Sequence, residues 1–294
     1  MIYRLWHSTA YHYAEPVELA AHLLHLRPRK VPGQRVLSAR LTCVPKPDHH
    51  TEVHDHFGNA ATRLFLATPH TSFEVTSESI VEVNFAPPPN ETPPWEAVAA
   101  LAGRVETADF LAPTNTVPLL AEAQALAAIS FLPGRPILDA LLELNERMGR
   151  EFIVQTGVTS VTTPIAEVLR SRRGVCQDFT QVMLASLRGL GLPARYVSGY
   201  VRTRPSPGEL RRRGADQSHA WVAAWLGPEH GWVQLDPTNG IIVRDEHVLL
   251  AWGRDFADIS PLRGVLLGGG EHELKVRVDL EAEPAGEDFA GNPL

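Results

Sequence analysis

The 294-residue sequence predicts an α+β protein: a mostly β amino-terminal domain, then a core with helices first and an antiparallel sheet after. Three observations carry that expectation. Alternating and β-branched runs dominate residues 1–86, and a proline-rich joint interrupts the chain at 87–94. Beyond Trp95 the apolar spacing changes to three and four residues before short strand-like runs return.

In the first domain, strands are expected at 35–44 and 74–83, and Asp55-His56-Phe57-Gly58-Asn59 reads as a hairpin turn. The joint, from Ala86 through three prolines to Pro93-Pro94, is stiff and suits neither ladder nor helix, so a domain boundary falls there. Segments 118–130 and 136–150 have helical period, and each opens on a proline, whose missing N–H costs nothing in a first turn. A shorter helix at 164–171 hands over through Arg172-Arg173-Gly174. Phe179, Met183, Leu187 and Leu190 then predict a helix over 177–190 that stops at Gly191 and Pro193. Strand-like runs follow at 194–201, 219–226 and 232–235, the last two joined by Gly227-Pro228-Glu229-His230-Gly231. Alternation at 272–280 predicts a final strand, assigned to the same 95–280 core. The acidic stretch 281–294 reads as a loose tail.

Composition narrows the classes of function. Hydrophobic content of 44% and charged content of 21% are those of a soluble globular protein. A net charge of −7 gives a nucleic-acid partner no electrostatic footprint. No apolar run reaches the length of a membrane span, and the first residues lack the layout of a signal peptide. Two cysteines argue against a disulfide framework and for a reducing interior, so a cytoplasmic location is expected. Cys43, in a strand-like run, is expected to be buried and inert.

Cys176 has a different setting. It follows Gly174-Val175 at the start of the 177–190 helix, where unpaired N–H groups and the macrodipole stabilise an anion. His219 opens the strand-like run 219–226, and Asp236 closes the next one. In an antiparallel pair the start of one strand lies beside the end of the other, so these two residues, 17 apart in sequence, become neighbours. Each alone has an ordinary explanation: a buried thiol, one of thirteen histidines, an aspartate before proline. Together, in that order at three element ends, they are what a thiol nucleophile, its base and the base's orienter require.

These residues also carry a family resemblance. Arg173-Gly174-Val175-Cys176-Gln177-Asp178-Phe179, the run from Leu190 to Tyr200, Ser218-His219-Ala220-Trp221 and Leu235-Asp236-Pro237-Thr238-Asn239 resemble the bacterial transglutaminase-like proteins of the papain-like thiol-enzyme superfamily. The resemblance extends to Thr163-Pro164, to the stretch from Gly253 to Pro261, and to Tyr11-His12-Tyr13 with Asp55–Asn59 in the β domain. It implies a papain/transglutaminase-like core with Cys176 as nucleophile, His219 as general base and acid, and Asp236 as orienter. The superfamily's second oxyanion donor usually comes from upstream, which points to Gln155 or Thr156 beside the backbone N–H of Cys176.

The expected chemistry is attack of the Cys176 thiolate on a peptide or amide carbonyl to give a thioester. Water as acceptor makes a peptidase or amidase; a primary amine makes a transglutaminase. Amine transfer needs a dry second pocket, so hydrolysis of a peptide or protein substrate is favoured. A non-catalytic binding module that keeps the fold is the rival from another class. The loop 202–214 carries five arginines, among them Arg211 and Arg212, and is a candidate lid for acidic substrates, with Trp221 a candidate substrate contact or core residue. His49, His50, His54 and His56 lack a recognised ligand spacing and read as a surface hairpin, so no metal is expected. No cofactor is implied. The number of subunits stays open.

Overall fold

A computed structural model describes residues 1–202, 216 and 218–283. The amino-terminal domain contributes β1 (Ile2–Leu24), β2 (Gln34–Val44), β3 (His49–His54), β4 (Ala60–Leu66) and β5 (His70–Val83). After the proline joint, whose residues 87–93 form neither helix nor strand, come α1 (Trp95–Ala100), α2 (Val105–Ala108), α3 (Ala121–Ala128) and α4 (Ile137–Glu151). The core continues through β6 (Ile153–Val154), α5 (Ile165–Ser171), β7 (Arg173–Gly174) and α6 (Cys176–Gly189). Then follow β8 (Ala194–Val201), β9 (Ser218–Trp225), β10 (Trp232–Asp236), β11 (Ile241–Ile242) and β12 (His247–Gly253), and finally β13 (Leu262–Gly268) and β14 (His272–Ala282).

The predicted helices and core strands are present with ends shifted by a few residues. The amino-terminal sheet runs β2-β5-β1-β4-β3, and β13 and β14 also pair with β1. β1 is long enough to serve two sets of neighbours. Its first half pairs with β5 and β14, and its second half with β4 and β13. Its register against β5 shifts between His12 and Val17, around Pro16, which has no N–H for a ladder. On β5, Phe73, Val75, Val81 and Val83 are fully buried, as alternation requires. His49, His50 and His54 lie exposed on β3, and His56 bonds Asp109 (2.7 Å).

One expectation is corrected. The final strand exists, but it does not belong to the core sheet: β14 lies along β1, with Leu5 opposite Leu280 and His7 opposite Val278. Alternation shows that a segment is a strand and not which partner it finds, and here the partner is the first strand of the chain. The tail from 284 onward lies outside the described residues.

The core sheet, β11-β10-β9-β8-β12, is antiparallel throughout. One apolar core joins the two domains, running from Tyr3, Leu5 and Val83 through Leu141 and Met148 to Phe179, Tyr196 and Trp221. The edge strand β12 is closed by amides from the first domain. Gln34 donates to the Leu249 carbonyl and accepts the Leu249 N–H, both at 2.7 Å. Asn59 does the same to Trp252 at 2.8 and 3.0 Å. Two side chains thus substitute for a missing neighbour strand and fix the domains together. Among the described residues no helix is long and apolar enough to cross a membrane.

Candidate active site

The approach to Cys176 is a short extended run held on one side. α5 ends at Arg172 in the left-handed conformation (φ 52°), and β7 then pairs in parallel with β6. The Gln155 N–H donates to the Gly174 carbonyl at 2.8 Å and extends that ladder to the residue before the helix cap. Val175 is extended (φ −122°, ψ 178°), and Cys176 begins α6. Asp178, in the third helical position, turns its buried carboxylate back to accept the Val175 N–H (2.8 Å) and the Thr159 hydroxyl (2.7 Å). This satisfies a donor that the helix start leaves unpaired. Gly174 is required for it, since a Cβ there would stand 2.5 Å from that carboxylate. Phe179 anchors the same turn in the core against Phe152, ring to ring at 5.3 Å.

The base comes from the sheet. His219 is the second residue of β9 and Asp236 the last of β10, with His219 Nε2 2.8 Å from Asp236 Oδ2. Leu235 stands opposite Val222, so the carboxylate reaches diagonally along the ladder. The other ring nitrogen is left for Cys176, whose half-buried thiol acts on the imidazole and raises its pKa.

Asp236 is fully buried and accepts from five donors. His219 Nε2, Asn239 Nδ2 (2.6 Å) and His247 Nε2 (3.2 Å) meet Oδ2, while the N–H groups of Thr238 and Asn239 meet Oδ1 at 3.0 and 3.2 Å. Burial alone would raise its pKa, but the bonds from His219 and His247 hold the carboxyl well below its ordinary range. Burial likewise opposes charge on His219, yet the bond to Asp236 and the Cys176 thiol carry its pKa well above that of an ordinary imidazole. The arrangement therefore favours the imidazolium form of His219 beside the sulfur. Cys43 is the opposite case: burial pushes its thiol up to about 11.

Of the two readings of Trp221, core residue or substrate contact, the structure shows the first. Trp221 is fully buried and offers no surface to substrate. Its indole N–H donates to Gln234 Oε1 (2.8 Å), and its ring packs at 5.3 Å on His247 and 6.1 Å from His219. β9 lies in the middle of the core sheet and Trp221 packs into the apolar core, so it is a wall behind the imidazole. Gly199 makes room for it, since a Cβ there would collide with that indole. Gln155 lies beside the start of α6, but its backbone N–H is already engaged by Gly174, and its Oε1 accepts from Arg173 (2.7 Å). Its amide NH₂ is the group left to meet an oxyanion. Arg211 and Arg212 fall outside the described residues.

His247, Asn239 and Gln234 were not found from sequence. Asn239 had a signal, an Asp-Pro-Thr-Asn turn in which the aspartate caps the following N–H groups. His247 had none, because only the fold of β12 brings it to Asp236. The ligand atoms of His219, Asp236 and His247 lie within 4.8 Å of one another, which would suit a cation by distance. Each imidazole Nε2 is, however, bonded to an oxygen that already accepts from Asn239, so the set is saturated by hydrogen bonds.

Comparisons with known proteins agree with this geometry. Residues 3–82 match the bacterial transglutaminase-like N-terminal region, and residues 135–237 match the transglutaminase-like superfamily. The uncharacterized protein Rv2569c of Mycobacterium tuberculosis is 38% identical over 302 residues, covering 99% of this chain and 94% of its own. Over a shorter span, 32% of this chain and 15% of the relative, the protein-glutamine gamma-glutamyltransferase of Pseudomonas aeruginosa is 39% identical. A solved structure of a candidate cysteine protease from Cytophaga hutchinsonii superposes with a TM-score of 0.74 at 22% identity, over 99% of this chain and 92% of that one. Its likeness is one of fold. With both family regions in order and a relative matched along its whole length, the chain belongs to the bacterial transglutaminase-like family of the cysteine-based transglutaminase superfamily.

Proposed function

We propose that this protein is a cysteine-dependent acyl-transfer enzyme that hydrolyses a peptide or amide bond through a thioester on Cys176. One observation carries the reading: a buried imidazole bonded to Asp236 at 2.8 Å and raised in pKa by that carboxylate and by the thiol at the start of α6. His219 takes the thiol proton, and the thiolate attacks the carbonyl carbon. The negative oxygen that forms is met by the Cys176 N–H at the helix start and by the Gln155 amide. As the tetrahedral species collapses, His219 returns the proton to the leaving amine. Water, deprotonated by the same imidazole, then attacks the thioester, and sulfur leaves as thiolate.

A second reading, transfer of a glutaminyl acyl group to an amine, is supported by the similarity to the Pseudomonas gamma-glutamyltransferase over a third of the chain. Both share the first half-reaction and differ in the acceptor. Incubation with glutamine-containing peptides and a fluorescent primary amine separates them by mass spectrometry. Hydrolysis gives cleaved or deamidated peptide, and transfer gives the amine adduct. The absence of any product or acyl-enzyme across a diverse peptide library, with Cys176 intact, would leave a binding module and refute both.

A further inference from the structure

A second charged centre lies apart from Cys176. Arg195, on β8, stacks its guanidinium on Trp232 at 3.6 Å and also faces Trp252 at 4.5 Å and Phe110 at 4.6 Å. Trp252 carries a second guanidinium, that of Arg29, at 3.6 Å. Arg29 has an acceptor in Asn59 Oδ1 (2.7 Å) and feels the charge of Asp55. Arg195 has neither. Its Nε is buried without a hydrogen-bond partner, and among the described residues no carboxylate offsets its charge. Burial first, and Arg29 beside it second, bring its pKa down to about 9. Aromatic faces attract a cation but cannot accept the in-plane N–H bonds of a guanidinium.

Arg195 lines a cavity of about 440 Å³ together with Trp232, Trp252, His230 and the proline joint. Among the described residues no aspartate or glutamate lines it, although the chain has 34 acidic residues against 27 lysines and arginines. Neither Cys176 nor His219 lines it. A planar donor without an acceptor, on an aromatic floor and in a space free of acids, suits an anion that brings two acceptor oxygens in one plane. A phosphate dianion would carry a second charge into a largely apolar space with one unpaired guanidinium to meet it.

We propose that this cavity, between β8, β10 and the proline joint, binds a carboxylate carried on an apolar body, with Arg195 as its anchor. The carboxylate could be the C-terminus of a peptide or a free small acid. Two pairs of probes on the full-length protein distinguish these: N-acetyl-alanyl-phenylalanine against its C-terminal amide, and 3-phenylpropanoate against its amide. Calorimetry and tryptophan fluorescence report binding. A charge-assisted bidentate contact predicts acids at least about tenfold tighter than amides. Peptide acid bound more tightly than the small acid identifies the peptide terminus as the source, and the reverse order identifies a free acid. Arg195→Gln should lose that preference while Arg195→Lys retains part of it, with near-UV circular dichroism reporting the fold. If the glutamine variant does not fold, the acid–amide comparison on the unaltered protein decides alone. No binding, equal binding of acid and amide, a stronger response to inorganic phosphate, or undiminished preference in a folded Arg195→Gln protein overturns the proposal.

Discussion

Replacing Asp236 by asparagine acts on the part of the site where the most bonds converge. The carboxylate accepts from His219, His247 and the Asn239 side chain at Oδ2, and from two backbone N–H groups at Oδ1. Asparagine keeps the shape and, with its carbonyl toward Thr238 and Asn239, keeps the two backbone bonds. Its NH₂ then faces three donors. Hydrogen bonds to a charged acceptor contribute about 1.5–3 kcal/mol each, and removing one partner of a buried ion pair costs about 3–5 kcal/mol. Because the three bonds share one oxygen, they are not additive, and the pair figure of about 3–5 kcal/mol is the expected loss of stability. Burial, which opposes charge on His219, remains after the substitution, so its pKa must fall. Each unit of that fall is a factor of about ten in the imidazolium–thiolate pair.

Iodoacetamide alkylation of Cys176 at about pH 6 should therefore slow at least about tenfold in Asp236→Asn. The stability difference has its own pH signature. Asp236 is held below its unfolded pKa of 3.8, so it contributes stability above that pH and loses the contribution as pH falls below it. The gap in urea midpoint between the two proteins should be full near about pH 6 and shrink below about pH 4. An alkylation profile unchanged by the substitution, with a stability gap independent of pH, would refute this account of Asp236.

Three further perturbations have definite outcomes. His247→Phe removes the longest of the three side-chain bonds to Asp236 (3.2 Å) and should slow alkylation about fivefold, less than Asp236→Asn, with the pH midpoint moved in the same direction. Gly174→Ala puts a Cβ against the Asp178 carboxylate, unfastening Val175 and Thr159, and should cost about 1–3 kcal/mol by urea denaturation. Gln34→Ala leaves the buried Leu249 N–H unpaired and its carbonyl with the Arg29 N–H alone (3.3 Å), and should cost about 1–3 kcal/mol while leaving the alkylation rate of Cys176 unchanged.

Much of the site could be read from sequence because its residues stand at element ends, where local signals are strongest. Gly191 and Pro193 close α6, the apolar run after Ser218 marks β9, and Asp-Pro closes β10. These fix where Cys176, His219 and Asp236 sit along the chain. What local pattern does not hold is the pairing of distant strands. The sequence shows β1 only as part of a strand-like region, and Pro16 interrupts its alternation. β14 was recognised but given to the wrong sheet, since its partner lies some 270 residues upstream. The same limit hides the approach of His247 to Asp236, which depends on how β8, β9 and β12 lie together.

The most direct measurement is mass spectrometry after brief iodoacetamide treatment at about pH 6, comparing the unaltered protein with His219→Ala. The account predicts rapid modification confined to Cys176, with Cys43 spared by its raised pKa, and a marked slowing when the imidazole is removed. Slow modification of Cys176 at the same rate in both proteins would mean that no activated thiolate exists and would contradict a catalytic role for the Cys176–His219 pair.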